Sequence, residues 1–251
     1  MNENLFSHEQ WEVYWSEILE SNLDDIAFDK YDPIINYIEK YLPDNQYLNC
    51  FDIGCYPGKY LNYFGGKGYE LNGIDMYGKV SELNNYFKVI KNYKVGNIDH
   101  MDFFDYDLKN KFDLVYSFGF IEHFINWEDV FSKHARLVNN GGVLIITTPN
   151  FSGFFQKYFH KIFDKNNYEK HNIESMNPTK WATYLRLLNF EIIHSGYFAP
   201  ISFWVEKEKR NNISKLLIFL IRQSTRVIGK IIKANHASYS PYCGIIAKKK
   251  A

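Results

Sequence analysis

Phe51-Asp52-Ile53-Gly54-Cys55-Tyr56-Pro57-Gly58 is the stretch on which the fold turns. Residues 47–53 read as a short strand, 54–58 as a tight turn, and a short helix follows. Ligands in open α/β sheets bind outside the carboxyl ends of strands. Glycine lets a backbone turn sharply and approach a ligand closely, and the next helix offers free N–H groups in its first turn. In a dinucleotide site those groups meet a pyrophosphate. Here Asp52 precedes the first glycine by two residues. Its charge would repel a pyrophosphate and suit a cationic ligand.

Working outward, strands and helices alternate. Residues 70–74 form a second expected strand, 93–95 a weaker third and 112–117 a fourth. Asn140-Gly141-Gly142 reads as a turn before a buried fifth strand at 143–148, with a sixth at 190–197 and a last at 242–247. Helical spacing links Trp11, Trp15, Ile18 and Leu19, then Ile34, Ile35, Ile38 and Leu42, then Trp127, Val130, Phe131 and Leu137. Asn177-Pro178 supplies an N-cap and a first-turn proline. Such alternation predicts a parallel sheet with helices on both faces.

A length of 251 residues suits one domain, and 46% hydrophobic residues can fill its core. The expected divisions are an N-terminal helical cap (1–44), a cofactor-binding core (45–150), an acceptor-side insertion or lid (151–176), and a C-terminal part (177–251) with a helical insertion at 205–233. The 29 basic and 29 acidic residues cancel, so no overall field recruits nucleic acid. Cys50, Cys55 and Cys243 are odd in number and lack metal-type spacing, which fits a reducing cytoplasm. The opening MNENLFSHEQ carries no secretory pattern. The longest apolar run, 216–221, is too short to span a bilayer.

Asp52-Ile53-Gly54-Cys55-Tyr56-Pro57-Gly58 resembles motif I of class I S-adenosylmethionine-dependent methyltransferases, commonly Asp-x-Gly-x-Gly-x-Gly, with Tyr56 at the middle glycine. That side chain must point away from the cofactor or stack over it. Asp75, in Gly73-Ile74-Asp75, can accept two hydrogen bonds from ribose hydroxyls; its spacing from Gly54 also fits a dinucleotide site. Gly96-Asn97-Ile98 resembles the family's Gly-Asp-x after strand three, where the side chain touches the adenine amino group. Phe112 through Ser117 resembles the strand-four motif, Glu122-His123 the Glu-His pair after it, and Gly141 through Asn150 the fifth strand. The likeness is good over 45–150 and loose over 177–197.

The resemblance implies a Rossmann-like class I methyltransferase fold: seven strands, mostly parallel, with the last inserted antiparallel beside the fifth. It implies S-adenosylmethionine as cofactor and S-adenosylhomocysteine as product. Cofactor contacts are expected at Tyr14, Asp52, Gly54, Cys55, Tyr56, Gly58, Asp75, Met76, Asn97, Ile98, Ser117 and Phe118. Cys55 reads as a small filler of the loop, and Tyr14 and Trp15 could close over the cofactor. His123 is a candidate base, since histidine titrates where an acceptor must lose a proton, and His171 a candidate base or substrate contact. Some relatives bind metal through Glu-x-x-Glu-His; Gly119 occupies the first position here, so no metal is expected.

A small-molecule acceptor is expected, with methyl transfer to oxygen first and to nitrogen second. The chain looks like the small-molecule branch that contains ubiquinone-type enzymes. Thr147-Thr148-Pro149-Asn150 and the 240–247 tail resemble bacterial methyltransferases of surface-polysaccharide loci, which favours a sugar, nucleotide-linked or capsule precursor. Two other classes stay open: a nicotinamide oxidoreductase, which requires a parallel last strand, and a silent cofactor-binding module. Over 213–233, Leu216, Leu217, Leu220 and Ile221 alternate with Lys215, Arg222, Arg226, Lys230 and Lys233. A cover helix or dimer contact is the commoner use of such a segment; peripheral contact with an anionic membrane is the other.

Overall fold

The computed structural model describes residues 5, 7–18, 32–42, 48–206 and 208–251. Leu19, Tyr47 and the 19–31 part of the expected helical cap lie outside these. The elements run α1 (His8–Ile18), α2 (Pro33–Tyr41), β1 (Asn49–Ile53), α3 (Lys59–Gly66), β2 (Glu70–Asp75), α4 (Glu82–Asn85), β3 (Val95–His100), β4 (Phe112–Phe118), α5 (Trp127–Arg136) and β5 (Val138–Pro149). They continue as α6 (Phe154–Phe163), α7 (Lys165–Glu169), α8 (Pro178–Leu187), β6 (Phe190–Phe198), α9 (Asn212–Ile231) and β7 (Tyr242–Lys249).

One seven-stranded sheet has the order β3-β2-β1-β4-β5-β7-β6. The pairs from β3 to β5 are parallel. β7 runs antiparallel to both β5 and β6. The expected insertion of the last strand is therefore present, and the parallel last strand that an oxidoreductase reading required is not. β5 explains its central place: Val143, Leu144, Ile145 and Ile146 are all fully buried, as suits a strand covered on both faces. One cover includes Phe131 of α5 and Trp181 of α8, whose rings stack at 6.0 Å. The opposite cover includes Ile38 of α2, Phe64 of α3 and Leu83 of α4. Each such fully buried side chain contributes about 1.5–3 kcal/mol.

Local signals set the helix starts. Asn177 accepts from the Lys180 N–H, and Asp32 accepts from those of Ile34 and Ile35. Two expectations change. The Asn140–Gly142 turn lies inside β5: Val138 pairs with Phe112 but Val143 with Leu114, so the intervening residues are looped out along the strand. The third strand lies later than expected, at Val95–His100, because on this polar sheet edge only Ile98 is buried and there is no apolar run to mark it.

Candidate active site

The loop after β1 begins where two successive amides, Gly54 and Cys55, donate to the Ile74 carbonyl at 2.9 and 3.1 Å. Gly54 has φ +76°, and a Cβ there would lie 2.8 Å from the Phe120 ring. The backbone thus needs glycine both for conformation and for space. Gly58 has φ +94°, but its missing Cβ makes room for Phe87 and Leu83, so its part is packing under α3. Tyr56 does not lie free over the loop. Its ring is wedged between Trp15 at 5.6 Å and Tyr77 at 4.6 Å, forming a wall of the cavity.

That cavity, about 360 Å³, falls within the roughly 300–1,000 Å³ of small-molecule sites. Asp52 and Asp75 stand at the ends of β1 and β2 and both line it. Asp75 is held rigidly: Oδ2 accepts from the Tyr56 N–H at 2.9 Å and Oδ1 from the Tyr77 N–H at 2.8 Å. Burial pushes its pKa up to about 6, with those amides and His100 pulling the other way. Asp52 is pushed well above the usual carboxylate range by burial and then by Asp75, with the Tyr116 hydroxyl opposing. Two close carboxylates in a half-dry cleft favour a cationic ligand, which relieves both shifts. Lys59, also on the cavity wall, is already ion-paired with Asp32.

Of the residues expected to touch a cofactor, Tyr14, Asp52, Gly54, Cys55, Tyr56, Asp75, Met76 and Phe118 line this cavity. Gly58, Asn97, Ile98 and Ser117 do not. Asn97 sits exposed in the middle of β3, its N–H bonded to Asn72 Oδ1, and Ile98 points into the core. The shifted third strand is followed instead by Met101, Asp102 and Phe103, which line the cavity. Ser117 is fully buried, with its hydroxyl 3.1 Å from His134 Nε2. Burial, then Asp75 and Asp52, push the Cys55 thiol well up, so it stays protonated.

Elsewhere on the cavity wall three groups from two distant segments meet. His123 Nδ1 lies 3.2 Å from the Lys170 carbonyl, and His171 Nδ1 2.6 Å from that of Asn167. Donation from each Nδ1–H leaves each Nε2 as an acceptor. The rings are 4.7 Å apart, and Trp11 packs edge-on against His123 at 4.9 Å. Burial, then His171, lowers the His123 pKa well below the ordinary histidine value; burial takes His171 to about 4. Both imidazoles are therefore neutral at pH 7. Glu122 is 0% exposed, and neither carboxyl oxygen has a hydrogen-bond partner among the other described residues. Burial raises it to about 8, against the pull of its own backbone N–H, so at pH 7 it is mainly protonated.

The sequence singles out His123 and His171 but not their convergence, and passes over Glu122 as a site residue. Trp204 and Glu206 add to the cavity wall from a segment with no recognisable motif. Gly119 breaks the Glu-x-x-Glu-His pattern, so the sequence predicts no metal, but the fold brings other donors together. Glu122, His123 and His171 bring one possible ligand atom each within 4.8 Å of the others, a donor set that could hold a divalent ion. Among the described residues a second such group is His8, Glu12 and His100, partly exposed beside the Met76 carbonyl.

The chain matches the family described as "Methyltransferase domain" over residues 23–195. No curated protein matches it. A SAM-dependent methyltransferase from Archaeoglobus fulgidus superposes with a TM-score of 0.56 at 19% identity, covering 94% of this chain and 99% of that one. Magnesium protoporphyrin IX methyltransferase from Synechocystis PCC 6803, with bound SAH, gives 0.55 at 13%, covering 97% and 99%. Geranyl diphosphate C-methyltransferase from Streptomyces coelicolor A3(2), crystallised with Mg2+, geranyl diphosphate and SAH, gives 0.60 at 14%, covering 96% and 97%. At these identities the structures speak for the fold, while the family match spans well over half of the sequence. The chain belongs to the methyltransferase-domain family, on the class I S-adenosylmethionine-dependent methyltransferase fold.

Proposed function

We propose that this protein transfers a methyl group from S-adenosylmethionine to a hydroxyl of a small-molecule acceptor. The residues fit that cofactor. Asp52 and Asp75 are acceptors poised by burial to take a cationic, ribose-bearing ligand, and the missing Cβ at Gly54 lets the backbone approach it. Met101, Asp102 and Phe103 would flank the adenine, in place of Asn97. S-adenosylmethionine supplies a methyl already activated by its sulfonium. The chain's own work is then to align the acceptor, exclude water and accept a proton. Tyr56 and Trp15 wall the cleft, and His123 Nε2 takes the acceptor's proton while the Lys170 carbonyl holds Nδ1–H in place.

The observation that carries an oxygen acceptor is a pair of unsatisfied polar groups on the cavity wall. Among the described residues Glu122 has no partner for its carboxyl, and Trp204 has none for its buried indole N–H. A hydroxyl, which both donates and accepts, suits such surroundings. The aromatic faces of Trp11 and Trp204, beside Asn167, Lys170 and Glu206, suit a polyhydroxylated ring: a sugar, a nucleotide-linked sugar or a capsule precursor, as in bacterial polysaccharide synthesis. Three free, buried thiols suit work in a reducing cytoplasm. An amine acceptor is the second reading, because the Glu122 carboxyl could also hold an ammonium.

Calorimetry with S-adenosylmethionine beside NAD tests the cofactor. Transfer of labelled methyl to a panel of nucleotide sugars and amines tests the acceptor. Binding of NAD alone would end this reading, and labelling confined to amines would replace its oxygen half.

A further inference from the structure

We propose that α9, with α6 beside it, docks this protein onto the surface of a bilayer containing anionic phospholipid. The two helices share their ends. The Phe155 N–H at the start of α6 bonds the Ser238 carbonyl beyond α9, and Arg210 just before α9 bonds the Phe163 carbonyl and Asp164 at the end of α6. They therefore run antiparallel, and Ile201 and Phe203 are buried along them.

Both helices are turned the wrong way for water. α9 buries only Ile218, Thr225 and Gly229, one narrow edge. A residue two places along a helix points about 160° away, so Leu216 and Leu220 face opposite Ile218. With Ile213, Val227 and Ile231 they make one outward apolar stripe; Ile213 is 72%, Leu216 58% and Ile231 76% exposed. α6 repeats the inversion. Its fully buried positions are polar, Gln156 bonded to the Ser202 carbonyl and His160 to Asp164, while Phe154, Tyr158 and Ile162 are exposed. Contiguous exposed apolar surface of this kind marks an interaction site.

Charge names the partner. Lys215, Arg222, Arg226 and Lys230 follow one another along α9 at spacings of 7, 4 and 4, a single stripe flanking the apolar one, and Lys233 lies just beyond the helix. No Asp or Glu occurs from Lys209 to Ala251 in a chain of zero net charge. Glu206 and Glu208, just before the helix, are already paired with Lys170 and Arg210. An apolar face with a basic flank is the pattern of a helix lying in the headgroup region of an anionic leaflet. A second copy docked through the same face would set the basic stripe against itself across a twofold axis, whereas phospholipid headgroups neutralise it. Trp204, next to the buried Phe203, carries this face directly to the acceptor end of the cavity.

The test is co-sedimentation of the full chain with vesicles of phosphatidylcholine, alone or mixed with phosphatidylglycerol. Binding is expected only to the mixed vesicles and should weaken with salt. Arg222→Gln with Arg226→Gln removes two exposed charges without touching the core; at about fivefold per charge, binding should fall about 25-fold. Leu216→Asp with Leu220→Asp should abolish it, with the thermal melt and cofactor binding unchanged. No binding to mixed vesicles by the folded parent overturns the proposal. So does equal binding by the arginine variant, or light scattering that shows a stable dimer which the leucine variant dissociates.

Discussion

Replacing Asp75 by Asn isolates the charge of the carboxylate that we assign to the ribose. Two hydrogen bonds from hydroxyls to an ionised carboxylate are worth about 1.5–3 kcal/mol each. Asn offers one neutral acceptor in their place, so binding should lose at least about 2 kcal/mol, roughly thirtyfold. The fold should tolerate the change. Burial raises the folded-state pKa of Asp75 from 3.8 to about 6, so ionisation costs the cofactor-free fold up to about 3 kcal/mol above pH 6, a penalty that fades as pH falls. Asn removes that penalty but leaves the N–H of Tyr56 or Tyr77 without its acceptor, a loss of about 1–3 kcal/mol. The two nearly offset. Cofactor binding has the opposite pH sense: it needs the ionised form, so affinity of the parent should weaken about tenfold from pH 7 to pH 5. The assay is calorimetry of S-adenosylmethionine binding to parent and variant at both pH values, beside urea denaturation. If the variant binds as tightly as the parent, or both weaken equally on acidification, Asp75 does not hold the cofactor.

Gly54→Val puts a β-branched residue at positive φ and against Phe120, costing about 1–3 kcal/mol of stability; cofactor binding should vanish while the protein still melts cooperatively, and tight binding by a folded variant would remove this loop from the site. His123→Ala should lower turnover about 10²–10⁴-fold with little change in cofactor affinity. Because burial lowers the His123 pKa, turnover of the parent should fall with decreasing pH only below about 6.5, and that acid limb should be missing in the variant. Near-normal turnover in His123→Ala would favour an amine acceptor. Glu122→Gln keeps the shape but cannot ionise; any change in turnover of the parent around pH 8 should disappear in it, and a retained change would assign that titration elsewhere. His171→Ala should raise the acceptor KM alone if His171 positions substrate, and lower kcat if it shares the proton.

Much of the frame is written in short-range signals. The Asp52–Gly58 turn, the acid ending β2, the apolar run of β5 and the Asn177-Pro178 start of α8 are each decided by neighbours a few residues apart, because turns, caps and strand burial act at that range. The long connection before β7 likewise announces its antiparallel insertion. The third strand is different. On a polar sheet edge no apolar alternation marks its register, so Asn97 and Ile98 look like site residues while Met101, Asp102 and Phe103 do the lining. Ser117 shows the same limit: its place near the end of β4 suits a ligand, but the packing of α5 gives its hydroxyl to His134.

Fold family and cofactor class are thus properties of the chain read in order, since the groups we assign to the cofactor stand at strand ends whose positions local patterns specify. The acceptor end is a property of the folded molecule. Glu122 and His123 come from the loop after β4, His171 from the segment after α7, and Trp204 and Glu206 from the stretch before α9; only the sheet order and the fold-back of 151–176 bring them to one cavity. The outward turn of the apolar faces of α6 and α9 is likewise decided by what each helix packs upon. Periodicity shows that a helix has an apolar face, but the direction of that face is set by tertiary contacts.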